Sequence, residues 1–378
     1  MNAAPLASSP CQFTTFGLSF QSGYNFKLEK FVPQLFSSQF WSGLFTSDIA
    51  IDLGTASVLI YTRQAGRIVI YEPSIIALNT QTHEVEAVGD EAKQLMGRTP
   101  QGVQTIRPMK DGMIYEVDAA EKMLAAFIRK ARPNRSFTRT RIVVSVPPRA
   151  HQVARRAMKQ VCYDAKAGEV FLVDQSMVAA IGAGLAINEK RGCMIVDVGG
   201  GTTDVAVISF NGKVFEDSIP IAGDEMDEAI LRYIRGKYNV LISEGAAEEV
   251  KWGLGSAYPS DQPRTMTISG QDYLEGLPKT LSLNDVEIQE AMAEPINAII
   301  NLVRKALNET PPQLAADLID RGICLTGGGS KIQGLDLRLS KETHLPCYRA
   351  ENPETAVVRG TAVLVEDIPF LRRIQIMG

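Results

Sequence analysis

Two stretches of this chain combine carboxylates with bare backbone in the way that phosphate chemistry requires. The run from Met194 to Phe210 is apolar up to Asp197, continues through Gly199, Gly200, Gly201, Thr202 and Thr203, and is apolar again from Val205 to Ile208. Two β-rich runs around a glycine-rich turn read as a hairpin. Consecutive glycines leave backbone N–H groups open to close on an anion. Asp197 at the strand end carries negative charge into the same pocket, which suits phosphates when a cation such as Mg²⁺ lies between them. One such turn is equally well explained as an ordinary glycine-rich hairpin. A second copy shifts the balance. From Ile49 to Ile60 the chain again runs strand, Asp52, Gly54, Thr55, strand. Two Asp-bearing hairpins about 145 positions apart suggest a duplicated fold that grips one nucleotide from both sides.

The elements that must position these turns follow from pattern. Strands are expected over 66–80, with a break at Pro73, over Ile142 to Val146, over Val170 to Val173 and over Gly322 to Thr326. Glu116 to Arg132 reads as a helix with Ala119, Met123, Leu124, Phe127 and Ile128 on one face. Residues 175–186 form a helix of small residues suited to close packing, and Ile221 to Asp227 leads into another that runs through Tyr238. Residues 243–254 are helical, and 264–283 look like strands of a small insertion, as does the mixed stretch 83–108. Asp285 to Asn308 is a long helical stretch that Pro295 kinks or divides. Gly327, Gly328, Gly329 and Ser330 make a third loop, opening a helix, where backbone can approach a ligand. Glu354 to Val365 is a final helix.

At 378 residues and 45% hydrophobic composition, the chain is long enough for two or three units with real cores. A net charge of −4 gives no general attraction to nucleic acid. The five cysteines are scattered without a CxxC pair, and the three histidines lie far apart. That argues against a zinc site or disulfide framework and suits a reducing cytosol. No apolar run approaches the ~18 residues needed to span a bilayer.

Residues 1–47 differ from the rest: they hold eight of the fourteen Phe and only three charges. No basic region precedes a continuous apolar run, so a signal peptide is not expected. Near its end Phe36, Phe40, Trp41, Leu44 and Phe45 share one side of a helical wheel. This is either a short amphipathic helix for a membrane interface or a segment that packs on its own domain or stays without order. Each large apolar side chain buried is worth about 1.5–3 kcal/mol, so five could anchor weakly. From Arg129 to Lys159 there are ten Lys or Arg and no acid. A solvated helix end and loop, a nucleic-acid surface and a loop meeting an anionic membrane all fit, the first best because the apolar strand interrupts the run.

These strings, in this order, resemble the actin-like ATPase superfamily, and within it the MreB family of bacterial filament proteins that govern rod shape. Further resemblances are Tyr71-Glu72-Pro73-Ser74, Ile106 to Gly112, Ala222 to Ile230 and Thr310-Pro311-Pro312, so the likeness covers about residues 44–366. It implies an α/β actin-like ATPase fold of two lobes with RNase H-like cores, flanking an ATP cleft. The first large subdomain would comprise 48–75, 109–190 and 358–378, the first small one 76–108, the second large one 191–226 and 289–357, and the second small one 227–288, after an extension over 1–47. By resemblance Asp52, Gly54, Thr55 and Ala56 form the first phosphate loop. Asp197, Gly199, Gly200, Gly201, Thr202 and Thr203 form the second, with Mg²⁺ held through water near Asp52 and Asp197. Gly223, Asp227, Glu248 and Lys251 contact the nucleotide on its ribose and adenine side. Gly327, Gly328, Gly329 and Ser330 cover the adenine or α-phosphate, and helices 175–186 and 355–362 cross between the lobes as hinges.

One departure bears on catalysis. Where the family usually has Glu-Glu-Pro-Met, this chain has Asp174-Gln175-Ser176-Met177. Gln175 then stands where the attacking water is oriented; an amide positions water but cannot act as a general base. Hydrolysis is expected to persist, slowly, with Thr203 assisting. Asp204 also replaces the family's usual Glu. The resemblance further implies residence on the inner face of the cytoplasmic membrane, through Phe36, Phe40, Trp41, Leu44 and Phe45 and through a loop at Phe137. It implies paired protofilaments, a RodZ-type membrane partner and the cell-wall elongation machinery, and no nucleic acid. Three alternatives stay open: a hydrolysis-weak ATP-binding scaffold, a monomeric chaperone-like ATPase and a small-molecule kinase. The chaperone reading is disfavoured because about 12 residues follow the last lobe helix. The kinase reading would need larger insertions and an acidic base at position 175.

Overall fold

The computed structural model describes residues 48–132, 140–260 and 262–376. All of them belong to the compact unit that begins at Phe45. The membrane expectations at Phe36, Phe40, Trp41, Leu44, Phe45 and Phe137 lie outside the described residues.

Two five-stranded sheets carry the unit. The first comprises β1 (Ile49–Leu53), β2 (Ser57–Thr62), β3 (Arg67–Pro73), β9 (Arg141–Val146) and β10 (Glu169–Asp174), in the order β10-β9-β1-β2-β3. Between them in sequence lie β4 (Ile76–Asn79), β5 (Val85–Val88) and β6 (Val103–Ile106), which form a small separate sheet, and the ribbon β7 (Met109–Lys110) with β8 (Met113–Ile114). The second large sheet comprises β11 (Cys193–Val198), β12 (Thr203–Ser209), β13 (Gly212–Ile219), β17 (Ile323–Thr326) and β18 (Cys347–Arg349), in the order β13-β12-β11-β17-β18. Its own small sheet is β14 (Val240–Leu241), β15 (Thr265–Asp272) and β16 (Pro278–Asn284). The two large sheets share one plan. In each, three consecutive strands meander antiparallel, and two later strands add parallel beside the first. The parallel strands are reached through helical crossovers, as parallel pairing requires. The duplication expected from the repeated hairpin is therefore present in the topology.

Burial explains the patterns. β1 and β11 are apolar on both faces because helices cover both. The helix Val117–Ala131 buries Ala119, Met123, Leu124, Phe127 and Ile128 against the first sheet, with Phe127 fully enclosed. The long helical stretch expected from Asp285 is divided at Met292 into Asp285–Ala291 and Ala293–Glu309. Pro295 falls in the first turn of the second helix, where its missing N–H costs nothing. The third glycine loop differs from expectation. Gly328–Lys331 is a single 3₁₀ turn, and the next helix starts only at Leu335, so the loop itself opens no α-helix.

A third hydrophobic cluster joins the halves. Its centre is the crossing of helix Gln175–Gly182 with helix Ala356–Glu366. The former ends at Gly182, four residues before the predicted Ala186. A Cβ at Gly182 would lie 1.8 Å from the Ala356 carbonyl oxygen, and one at Gly360 would lie 1.8 Å from that of Val178. Only glycine allows the two backbones this approach. Gln175, at the start of the first of these helices, reaches the acids Asp197 and Asp204 behind the second glycine turn.

Candidate functional site

The two Asp-bearing hairpins make the same turn. Gly54 N–H donates to the Ser57 carbonyl at 3.0 Å, and Gly199 N–H donates to the Thr202 carbonyl at 2.9 Å. The turns face each other tip to tip. A Cβ at Gly200 would lie 2.6 Å from the Ala56 Cβ, and one at Gly201 would lie 2.7 Å from Thr55 Oγ1 and 3.0 Å from the Asp111 nitrogen. None of Gly199, Gly200 and Gly201 has a positive φ. Glycine at 200 and 201 is thus required by the approach of the other turn, not by an unusual backbone conformation, whereas a Cβ at Gly199 would meet only the Thr202 carbonyl of its own turn, at 3.2 Å. Thr55 Oγ1 in turn accepts from Gly112 N–H at 2.8 Å, tying the first turn to the ribbon. The start of helix Gly223–Tyr238 is secured by Gly199 and Gly200, whose carbonyls accept from the N–H groups of Gly223 (3.2 Å) and Asp224 (2.8 Å).

Behind these turns opens a cleft of about 1020 Å³. Its wall includes Asp52, Gly54, Thr55 and Ala56 from the first turn and Asp197, Gly199, Gly200, Gly201 and Thr202 from the second. Gln175, Gly223, Asp227, Glu248, Lys251, Gly327, Gly328 and Gly329 complete it. Two expected residues are not on this wall. Thr203 is fully buried and its hydroxyl donates to the Ile221 carbonyl at 2.7 Å. The hairpin register explains this: Asp197 pairs with Asp204, and Val198 with Thr203. Paired residues face one side of the sheet, so Asp204 shares the side of Asp197 while Thr203 faces away. Thr202, in the turn, takes the cleft position. Ser330 is likewise buried, its hydroxyl donating to the Gly327 carbonyl at 2.6 Å.

The floor is a network of acids. Ser145 Oγ donates to Asp52 Oδ1 at 3.1 Å. Asp197 accepts from Thr326 Oγ1 at 3.0 Å and from Gln175 Nε2 at 3.1 Å. Gln175 Nε2 lies 3.3 Å from Asp204 Oδ2, which also accepts from Thr202 Oγ1 at 3.2 Å. The Ser218 hydroxyl, also buried, lies beside the Asp204 carboxyl and acts against the effect of its burial. Loss of water at the floor, reinforced by the neighbouring Asp197 charge, pushes the Asp52 carboxyl up to about 7 and that of Asp204 up to about 8. Burial raises Asp197 as well, against its bonds to Gln175 and Thr326. Carboxyls this far from their ordinary range, grouped in a cleft, mark a place where positive charge belongs. Among the described residues no group of three or more His, Cys, Asp or Glu is arranged to hold a metal ion directly. Two oxygen donors facing a polar cleft fit Mg²⁺, which keeps most of its waters and takes one or two carboxylates.

The mouth is built differently. Lys251 is buried, donating to the Gly223 carbonyl at 3.0 Å and to Asp227 Oδ2 at 2.6 Å. Asp227 nevertheless rises to about 6, because burial outweighs the lysine. Glu248 forms an ion pair of 2.7 Å with Lys93 from the other half, and Glu244 one of 3.6 Å with Arg107. These bridges tie the helix Asp90–Leu95 and the residue after β6 to the helix Glu244–Leu254 across the cleft. Sequence reasoning missed Ser145, Thr326, Lys93 and Arg107. Thr326 had a signal, since it immediately precedes the glycine triplet on a strand parallel to β11. Lys93 had none, because its partner lies 155 positions away.

A family model described as MreB/Mbl protein matches residues 46–373. The cell shape-determining protein MreB of Escherichia coli K12 is 47% identical over 332 residues, covering 86% of this chain and 95% of its own length. The cell shape-determining protein Mbl of Bacillus subtilis 168 is 41% identical over 328 residues, covering 87% of this chain and 98% of its own. Among solved structures, MreB5 of Spiroplasma citri bound to ADP has a TM-score of 0.81 at 32% identity, over 87% of this chain and 98% of that one. A MamK double helical filament, at 19% identity and a TM-score of 0.71, shares the fold. Two sheets of one plan, two facing glycine turns over buried acids, and relatives matched along nearly their whole length lead to one conclusion: the chain belongs to the MreB/Mbl family of actin-like proteins.

Proposed function

We propose that this protein is a membrane-associated, ATP-dependent filament protein that maintains cell shape by scaffolding cell-wall synthesis, with slow ATP hydrolysis. One observation carries the nucleotide part: both Asp-bearing turns and the Gly327–Gly329 loop converge on a single cleft large enough for ATP. The related MreB5 structures bound to ADP and to AMPPNP support a nucleotide there. In this reading the two turns cradle the phosphates between the halves. Asp52 and Asp197 hold Mg²⁺ through its waters, and the ion, when bound, offsets the charge of the phosphates and of the buried acids. Gln175 stands on the floor, where it orients the attacking water. Because an amide cannot take a proton, turnover is slow. Glu248, which this reading places beside the ribose, is ion-paired with Lys93 from the other half.

Filament formation rests on the relatives: shape-determining proteins along nearly the whole chain, and a double helical filament with the same fold. Attachment to the inner face of the cytoplasmic membrane rests on the sequence pattern alone: the helical spacing of Phe36, Phe40, Trp41, Leu44 and Phe45, and Phe137 between Arg135 and Arg139. A RodZ-type membrane protein and the wall elongation machinery are the partners this reading expects. A scaffold that binds ATP without hydrolysing it is the second reading, and Gln175 is the observation that favours it.

The test is electron microscopy of the full chain with ATP on lipid, beside a chain lacking residues 1–47, with phosphate release measured in parallel. Paired filaments lying flat on lipid are expected for the full chain, weakened by the truncation, with phosphate release above background and faster in Gln175→Glu. ATP-bound monomers at high concentration would refute the filament reading. Filaments without phosphate release would select the scaffold.

A further inference from the structure

We propose that Asp204 is a positioning residue for hydrolysis: it holds the Gln175 side-chain amide with its nitrogen turned inward, so that its oxygen faces the attacking water. The proposal rests on the hydrolytic reading above. Its basis is the direction of the hydrogen bonds on the cleft floor. Nε2 of Gln175 donates to Asp197 Oδ2 at 3.1 Å and lies 3.3 Å from Asp204 Oδ2. An amide has one donor end and one acceptor end. With the donor end facing two carboxyls, Oε1 is the end presented to the cleft that Gln175 lines. An acceptor there can take an O–H of a water and aim the water's lone pair at a phosphorus. The reversed amide would offer the water a donor and turn that lone pair away.

Asp204 is the better suited of the two acids to fix this orientation. Asp197 faces the cleft and is the carboxylate that would face the waters of a bound Mg²⁺. Asp204 is fully buried, does not line the cleft, and its Oδ2 is steadied by the Thr202 hydroxyl at 3.2 Å. Oδ2 accepts whether or not the carboxyl carries a proton, so the role does not depend on its charge. The rest of the arrangement is rigid. The preceding residue, Asp174, caps the helix through its bond from Met177 N–H at 3.1 Å and is paired with Lys213. The side chain at 175 therefore swings only about its own bonds. The reaction is the ordinary one. The water oxygen bonds to the γ-phosphorus, the bond to the β–γ bridging oxygen breaks, ADP leaves with that electron pair, and the water's proton ends on the released phosphate.

Two variants separate this role from a structural one. Asp204→Val keeps strand propensity and removes the acceptor; Asp204→Asn keeps an acceptor oxygen and removes the charge. Both are compared with the full-length wild type for MgATP affinity, by competition with a fluorescent nucleotide, and for single-turnover phosphate release at saturating ATP. Asp204→Val is expected to release phosphate about ten- to hundredfold more slowly, the scale of a misplaced reactant, with affinity within about twofold. Asp204→Asn is expected to recover most of the rate. Wild-type release in Asp204→Val would overturn the proposal, as would an Asn variant as slow as the Val variant, since charge and not the acceptor would then matter. If Asp204→Val fails to fold, an Asn variant at wild-type affinity still decides: a retained rate supports the proposal and a rate lost tenfold or more refutes it. Absence of phosphate release from the wild type itself would instead refute the hydrolytic reading.

Discussion

The two turns that meet on the cleft floor close with the same hydrogen bond yet differ in composition: Gly54-Thr55-Ala56-Ser57 against Gly199-Gly200-Gly201-Thr202. The first turn keeps side chains because its tip projects. The second has glycine at 200 and 201 because that tip projects into it: the Ala56 and Thr55 side chains occupy the space a Cβ there would need. The acids behind the turns differ in parallel. Asp52 has one side-chain donor, Ser145, whereas Asp197 has two, Gln175 and Thr326, from two further elements. A duplicated fold has thus become asymmetric, with the first half supplying the knob and the second half supplying the socket and most of the polar network.

Substitution at the acids gives the largest contrast. Asp197→Asn, which disturbs the more connected carboxyl, is expected to weaken MgATP binding about a hundredfold, and Asp52→Asn about tenfold, the range found when metal-site partners are lost. Titration calorimetry with and without Mg²⁺ reads both. Equal losses would show that the asymmetry of the network has no bearing on the ligand. At the turns, Gly201→Ala is expected to destabilise the protein by about 1–3 kcal/mol, the usual cost of overpacking. Gly54→Ala, whose Cβ meets only the Ser57 carbonyl oxygen at 3.0 Å, should cost less. Thermal denaturation ranks them, and the reverse order would overturn the knob-and-socket account.

The last contrast is in pH. Asp52 and Asp204 hold their protons more tightly folded than unfolded, with folded values of about 7 and about 8 against an ordinary 3.8. A raised carboxyl stabilises the fold fully below the unfolded value, and that contribution is lost as pH rises through the folded one. Ligand-free protein should therefore lose stability between about pH 4 and 8, at up to ~1.4 kcal/mol per pH unit for each group. Asp204→Asn should flatten the upper part of this decline in melting curves taken across pH. An unchanged slope would place the floor's strain elsewhere.

Much of the molecule is legible along the chain. The repeated strand–Asp–Gly–Thr grammar discloses both hairpins and the duplication, because hairpin formation is local and its turn chemistry stands in adjacent residues. Pro295 marks a helix boundary for the same reason: the stretch expected to kink or divide there is divided, and Pro295 stands in the first turn of the second helix. Thr203 is not the cleft residue that its place in the motif suggests, because a strand's facing flips with every residue. Which threonine reaches the cleft depends on where the turn ends, and that is settled by the pairing of Asp197 with Asp204. The role of the glycines is also only half visible in the sequence. Their presence suggests open backbone for an anion, while the approach of Ala56 and Thr55 comes from a turn about 145 positions away.

By itself, then, the sequence determined the elements, the two carboxylates and the resemblance that names the family, since each of these is written in residues close together along the chain. Tertiary structure alone decided which residues share the floor and the mouth. Gln175 meets Asp204, and Lys93 meets Glu248, because Gly182 and Gly360 let two helices cross at backbone contact and draw the halves together. No local pattern encodes such meetings, since each depends on how distant elements pack and which way their side chains face once packed.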